Sequence, residues 1–164
     1  MLYHGSNHLI LDAIEPRMSF GYKRLVYATE DYFYALVRAG NFNMERFLLY
    51  EDYVGKDKPF RLVEIIPGAF KEVFDVSGYI YEVDDDLFET YGDQTEFISN
   101  QSVKVIKTIK IDNVWNEMMK HAEHYELISY DNSEEHWKTV RGGKDGYLKR
   151  RTERLNKVRE ACSK

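Results

Sequence analysis

The sequence predicts an α+β fold, and three observations predict it. Short apolar and aromatic runs bounded by turn residues recur from Leu2 to Ile111. Segments of helical period fall among these runs without the strict alternation of a parallel α/β sheet. Of the 164 residues, 43% are hydrophobic, with 13 Tyr and 9 Phe, which is enough for one packed domain rich in half-buried strands.

Each element follows from its residues. Leu2-Tyr3-His4 is a short strand ended by the turn cluster Gly5-Ser6-Asn7. Leu9 to Ile14 suits a strand or a helical turn, and Ser19 to Arg24, with Gly21, suits a loop. Leu25 to Ala28 is a second strand. Thr29 is the expected N-cap of a helix through Ala35, Leu36 and Ala39, with Glu30 and Asp31 in the first turn and Gly40 as terminator. Arg61 to Ile66 and Tyr79 to Val83 read as strands, with Pro67-Gly68 as a turn and Asp84-Asp85-Asp86 and Gly92-Asp93 as loops. Glu96 to Ser99 and Val103 to Ile111 are strands with a bend at Asn100-Gln101. Asp112 is the expected cap of a helix whose apolar face is Val114, Trp115, Met118, Met119 and Ala122. A Tyr/Leu/Ile stretch runs from Tyr125 to Tyr130, and Asp131-Asn132-Ser133 can cap a short helix.

Gly142-Gly143 reads as a linker, dividing a domain of residues 1–141 from an appendage of 142–164. Asp145 is the expected cap of a final helix over 145–162, with Leu148, Leu155, Val158 and Cys162 on one face and Arg150, Arg151, Arg154, Lys157 and Arg159 around the rest.

Charge is unevenly placed. Residues 1–137 hold 13 Lys/Arg and 25 Asp/Glu, whereas residues 138–164 hold 10 and 3. The acidic body repels nucleic acid at long range. The basic tail suits an anion, a nucleic acid, the body itself or a second copy of the chain; a solvated helix is its plainest reading. The lone Cys162 excludes a disulfide within the monomer. No apolar run reaches membrane-spanning length and no basic-then-apolar leader opens the chain, so a cytoplasmic protein without membrane contact is expected.

Three segments place polar residues at the ends of apolar strands, where sites form on sheet scaffolds: Tyr3-His4-Gly5-Ser6, Val26-Tyr27-Ala28-Thr29 and Glu96 to Val103. Together they resemble the ADP-ribosyltransferase superfamily, in particular its diphtheria-toxin and poly-ADP-ribose-polymerase branch. Leu2 to Ser6 match a first motif of the form L-[WY]-H-G-[ST]. Val26, Tyr27 and Ala35 are similar to a second, and Glu96 to Val103 to a third. The resemblance covers about residues 2–111 and leaves out the tail.

That resemblance implies split antiparallel sheets with flanking helices, and cleavage of the nicotinamide–ribose bond of NAD through an oxocarbenium-like transition state. It implies that NAD is bound by His4, Gly5, Ser6, Tyr27 and Tyr34, with Glu96 and His4 catalytic. His4 would bond a ribose hydroxyl. The Gly5 backbone would clasp the nicotinamide amide, needing close approach. Tyr27 would stack on the ring. Glu96 would bind the 2′-hydroxyl and stabilise the developing cation. The acceptor is a protein, a nucleic acid or water. The stretch Tyr32 to Arg38 departs from the family in lacking a serine, and either Tyr32 or Tyr34 supplies the second aromatic. Two alternatives stand beside this reading: an inactive binding module acting through the basic helix, and an RNA 2′-phosphotransferase, for which only Arg17, Arg24 and Arg38 lie near the motifs.

Other clusters read more plainly. His121 and His124 are three apart, unlike the four-residue spacing of zinc proteases, and are expected on a solvated helix face. Asp84-Asp85-Asp86 lacks the spaced ligands of a calcium loop and reads as a solvated turn. No metal is expected.

Overall fold

A computed structural model describes residues 1–163 except 20–22, 44, 54–56 and 93–94. Gly21 and Asp93, expected in loops, lie outside the described residues, as does Lys164. The fold is α+β. Eleven described strands form two sheets: β1 (Leu2–Ser6), β2 (Ala13–Ile14), β3 (Arg17–Met18), β4 (Arg24–Thr29), β5 (Leu49–Asp52), β6 (Phe60–Glu64), β7 (Gly78–Val83), β8 (Glu89–Tyr91), β9 (Glu96–Ser99), β10 (Val103–Ile111) and β11 (Tyr125–Ile128). The large antiparallel sheet has the order β2-β10-β7-β1-β4-β9-β8, with β3 beside β4. The small sheet has the order β11-β6-β5, and β11 runs parallel to β6, so this sheet is mixed where an antiparallel one was expected.

The helices are α1 (Tyr32–Arg38), α2 (Ala69–Phe74), α3 (Val114–Lys120), α4 (Glu134–Trp137) and α5 (Gly143–Cys162). Helix α1 lies in the main core between the sheets. Its Tyr34, Leu36 and Val37 are buried with Ile80 of the large sheet and Phe60 and Leu62 of the small one. A second core, with Leu2, Val26, Tyr81 and Val83, covers the opposite face of the large sheet. A third joins Val63 and Ile65 to Trp137, with Tyr147 and Leu148 of α5 packed against it.

Several expectations are corrected in their details. Asp31, not Thr29, caps α1: its carboxylate accepts from the Phe33 and Tyr34 amides at 2.9 and 3.3 Å. Thr29 instead accepts from the Asp31 amide at 3.0 Å, one step earlier in the turn. Asn113 rather than Asp112 caps α3. Helix α2 and strands β3, β5 and β8 lie outside the elements the sequence predicts, because a six-residue helix after Pro-Gly and strands of two to four residues carry little periodicity. Ala122 lies in a 3-10 turn after α3 and is exposed.

Gly142 and Gly143 make a tight left-handed turn, φ 73° and 67°, into α5, so Asp145 lies inside the first turn instead of capping it. They form a corner at the start of α5. Leu155 and Val158 are buried, each burial contributing about 1.5–3 kcal/mol. Cys162, expected on that face, is exposed. Among the described residues, no helix is long and apolar enough to cross a membrane.

Candidate functional site

Strand β1 is the pivot of the site. It pairs with β7 along its whole length, Leu2 opposite Val83 through Ser6 opposite Tyr79. With β4 on its other side it shares a single pair, Tyr3 opposite Thr29. Beyond that pair the two strands diverge, and the large sheet gapes where His4 and Gly5 face Tyr27 and Ala28. The His4 side chain spans the gap: Nδ1 lies 2.7 Å from the Tyr27 carbonyl oxygen. A carbonyl only accepts, so Nδ1 carries the proton and Nε2 of the neutral ring is left as an acceptor. Burial holds the His4 pKa below 6.5, against the pull of the Tyr27 carbonyl and with help from the Arg17 charge. The ring is therefore neutral at pH 7.

Strand β9 pairs with β4 in the register Thr29 opposite Glu96 and Tyr27 opposite Ile98. Side chains directly opposite share a face, so Glu96 joins Tyr27 and Thr29 on the side toward α1. The result is a cleft of about 600 Å³ lined by His4, Gly5, Tyr27, Tyr34 and Glu96, with Tyr3, Ser19, Ala28, Thr29, Ala35, Arg38, Phe42, Tyr91 and Arg154. His4, Tyr27 and Glu96 thus converge on one cavity from three strands.

Glu96 is held from behind. The Tyr34 hydroxyl donates to its Oε1 at 2.6 Å. Arg38, one turn along α1, donates to the Tyr34 oxygen at 2.9 Å and to Glu51 at 3.0 Å. Burial, only partly offset by Arg38 and reinforced by Glu96, pushes the Tyr34 pKa well up, so the phenol remains a donor. Burial works against the Arg38 charge, yet Glu51, Tyr34 and Glu96 outweigh it and keep the guanidinium protonated. The chain Glu51–Arg38–Tyr34–Glu96 holds the carboxylate through Oε1, and its other oxygen makes no hydrogen bond among the described residues.

Tyr27 is half-buried. Its hydroxyl shares a hydrogen bond with Ser19 Oγ at 2.8 Å, and the Tyr91 ring meets it edge-on at 6.0 Å. Burial raises its pKa first of all, so it too stays neutral. The ring is steadied at both ends with its remaining surface toward the cavity.

The structure gives three expected members partners within the protein. Ser6 lies outside this cleft: it lines a neighbouring groove and accepts from the His8 amide at 3.1 Å. Tyr34 reaches the site by its hydroxyl. The residue is 8% exposed, its ring packs edge-on against Phe60 and Tyr53, and the Arg38 guanidinium lies over it at 5.0 Å. Tyr32 packs against Tyr3 and Phe33, which settles the choice between the two tyrosines as cleft residues. Gly5 is also needed for packing. A Cβ there would stand 1.9 Å from the Ala35 carbonyl oxygen and 2.8 Å from the Ala39 nitrogen, so the glycine admits α1 against the strand.

Sequence reasoning missed Tyr91, Ser19, Glu51 and Arg154. The four-residue step from Tyr34 to Arg38 was a legible signal for their pairing on one helix face. Nothing local marked Arg154.

His124 stacks on Phe33 at 3.5 Å with His121 nearby, so both are half-buried instead of fully solvated. The described residues bring three metal-type ligands together only at Asp84, Asp85 and Asp86, all exposed, with Asp85 paired to the N-terminal amine at 3.2 Å. Comparison of the chain with protein-family models, curated proteins and solved structures finds no match.

Proposed function

We propose that this chain is an enzyme that cleaves the nicotinamide–ribose bond of NAD and passes the ADP-ribosyl group to a protein, a nucleic acid or water. The observation that supports the reading most is the meeting of His4, Tyr27 and Glu96 in one cleft, with Glu96 braced through Tyr34 and Arg38. NAD is the substrate, and no metal takes part in the proposal.

The proposed roles are those the resemblance implies, and the geometry of the cleft accommodates them. The acceptor Nε2 of neutral His4 takes a hydrogen bond from a ribose hydroxyl. The Tyr27 face receives the nicotinamide ring. Glu96 accepts from the ribose 2′-hydroxyl and faces the positive charge that develops on the sugar. The C1′–N bond breaks, and its electron pair leaves with the nicotinamide nitrogen, neutralising the pyridinium. A lone pair of the acceptor then forms the new bond to C1′, and the acceptor's proton passes to Glu96 or to solvent. The negative charge on Glu96 helps most in the transition state, which is what differential stabilisation requires.

The phosphotransferase alternative is less well supported. Arg38 is committed to Tyr34 and Glu51, while Arg17 lines the adjoining groove and Arg24 lines neither. The proposal includes a cytoplasmic setting, supported by a chain whose one cysteine makes no internal disulfide.

The test is nicotinamide release from NAD by the unaltered protein and by Glu96→Gln. The isosteric amide keeps an oxygen for Tyr34, so the fold is retained while the charge is lost. A fall of about 10²- to 10³-fold in kcat is expected. Equal release by both would remove Glu96 as the catalytic group, and absence of release by the unaltered protein would favour the inactive binding module.

A further inference from the structure

We infer that the C-terminal helix completes the substrate site, with Arg154 supplying the cation that holds the diphosphate of the dinucleotide. This rests on the NAD reading above, but it names a residue outside the region in which that resemblance lies.

Three observations about its placement converge on it. Arg154 lines the same cleft as His4, Tyr27 and Glu96. Its position is fixed by its own helix, since the adjacent Leu155 and Val158 are 5% and 2% exposed. One turn and more upstream, Tyr147 and Leu148 pack against the core around Trp137. The guanidinium is therefore presented by a docked 20-residue helix and not by a loose tail.

The cations around it are already committed. Arg38 donates to Tyr34 and Glu51, Arg159 pairs with Glu45 at 3.3 Å, and Arg150 donates to the Arg141 carbonyl at 2.7 Å. Arg154 makes no hydrogen bond or ion pair among the described residues.

The chemistry completes the inference. His4, Tyr27 and Glu96 account for the nicotinamide riboside half of the substrate, and one of them is an anion. A dinucleotide also brings two negative phosphates into this cleft. A planar guanidinium at the mouth matches phosphate oxygens with paired N–H donors and offsets the repulsion from Glu96. The basic tail hung on an acidic body is thereby given a local purpose: at Arg154 it delivers positive charge to a cleft whose other guanidinium is already neutralised.

The experiment compares Arg154→Gln and Arg154→Lys with the unaltered protein on two substrates, NAD and nicotinamide riboside, by nicotinamide release. The riboside has the scissile bond and no diphosphate. Arg154→Gln is expected to raise KM for NAD by about 10- to 100-fold, the range of a lost charged hydrogen bond, with kcat within about twofold. Riboside turnover should be unchanged, and Arg154→Lys should recover part of the NAD loss as a point charge. An equal effect on both substrates, or none on NAD, would overturn the assignment while leaving the proposed reaction standing. Calorimetric titration with ADP-ribose separates the two readings if the unaltered protein releases no nicotinamide. Binding weakened about tenfold by Arg154→Gln would then support Arg154 alone, and binding equal in both, or absent, would overturn it.

Discussion

Two histidines, His4 half-buried and His136 buried, sit in different parts of this molecule, and their difference separates a cavity-facing ring from a packed one. His4 lies where two strands diverge; His136 lies under the docked tail. Burial lowers the pKa of both. At His4 one nitrogen is satisfied by a backbone carbonyl and the ring borders a cavity shared with Glu96. At His136 the ring is wedged against Tyr50 at 4.7 Å and Trp137 at 5.1 Å, and its Nε2 is buried with no hydrogen-bond partner among the described residues. It borders neither groove. A perturbed histidine alone therefore does not identify a site; a perturbed histidine beside an open cavity and a braced carboxylate is a far stronger indication.

The comparison can be broken or sharpened by substitution. The largest effect is expected at Glu96, the loss in nicotinamide release described above. Next is Gly5→Ala. The added methyl has no room against the backbone of α1, so stability should fall by about 1–3 kcal/mol, measured by denaturant unfolding. An unchanged midpoint would mean that α1 does not lie against β1 as closely as described. His136→Phe keeps the ring stack and removes the unpartnered nitrogen. It should leave nicotinamide release unchanged and unfolding stability equal or higher, since an unsatisfied buried group is lost. A drop in release would place His136 in the working machinery and erase the contrast.

The smallest effect concerns pH. Both histidines have folded-state pKa values below 6.5. Well above pH 6.5 both are neutral in the folded and unfolded states and neither alters stability. As pH falls below 6.5 the unfolded chain binds protons that the folded chain refuses, so stability declines. At His136 the nearby Arg61 adds to this and Asp52 and Glu126 oppose it. His136→Phe should remove part of the acid decline and leave the His4 part. An identical pH profile in the variant would show that His136 is as well solvated as in the unfolded chain.

The two regions also differ in how far the sequence revealed them. The β1, β4 and β9 segments were legible because each couples an apolar run to a polar end residue, and their order along the chain is the order that brings them together. The pairing register that turns Tyr27 and Glu96 to one face was not legible, because it depends on which strands are neighbours. At Gly5 the sequence shows where a glycine is needed, but not that α1 packs against it, a contact that depends on the tertiary fold. Tyr34 was read as a cleft residue but as a stacking ring, whereas its hydroxyl is what reaches the site. Arg154 was invisible as a site residue. Helical period showed its neighbours Leu155 and Val158 to be apolar-faced, but only tertiary docking of α5 brings residue 154 to residue 96.

The measurement closest to the central claim is an NMR titration of the histidine ring signals with NAD, using His4→Asn and His136→Phe to assign them. The His4 resonances should shift saturably while those of His136 stay in place. Shifts confined to His136, or none at His4 at saturating NAD, would contradict the claim that the cleft between β1 and β4 is where NAD binds.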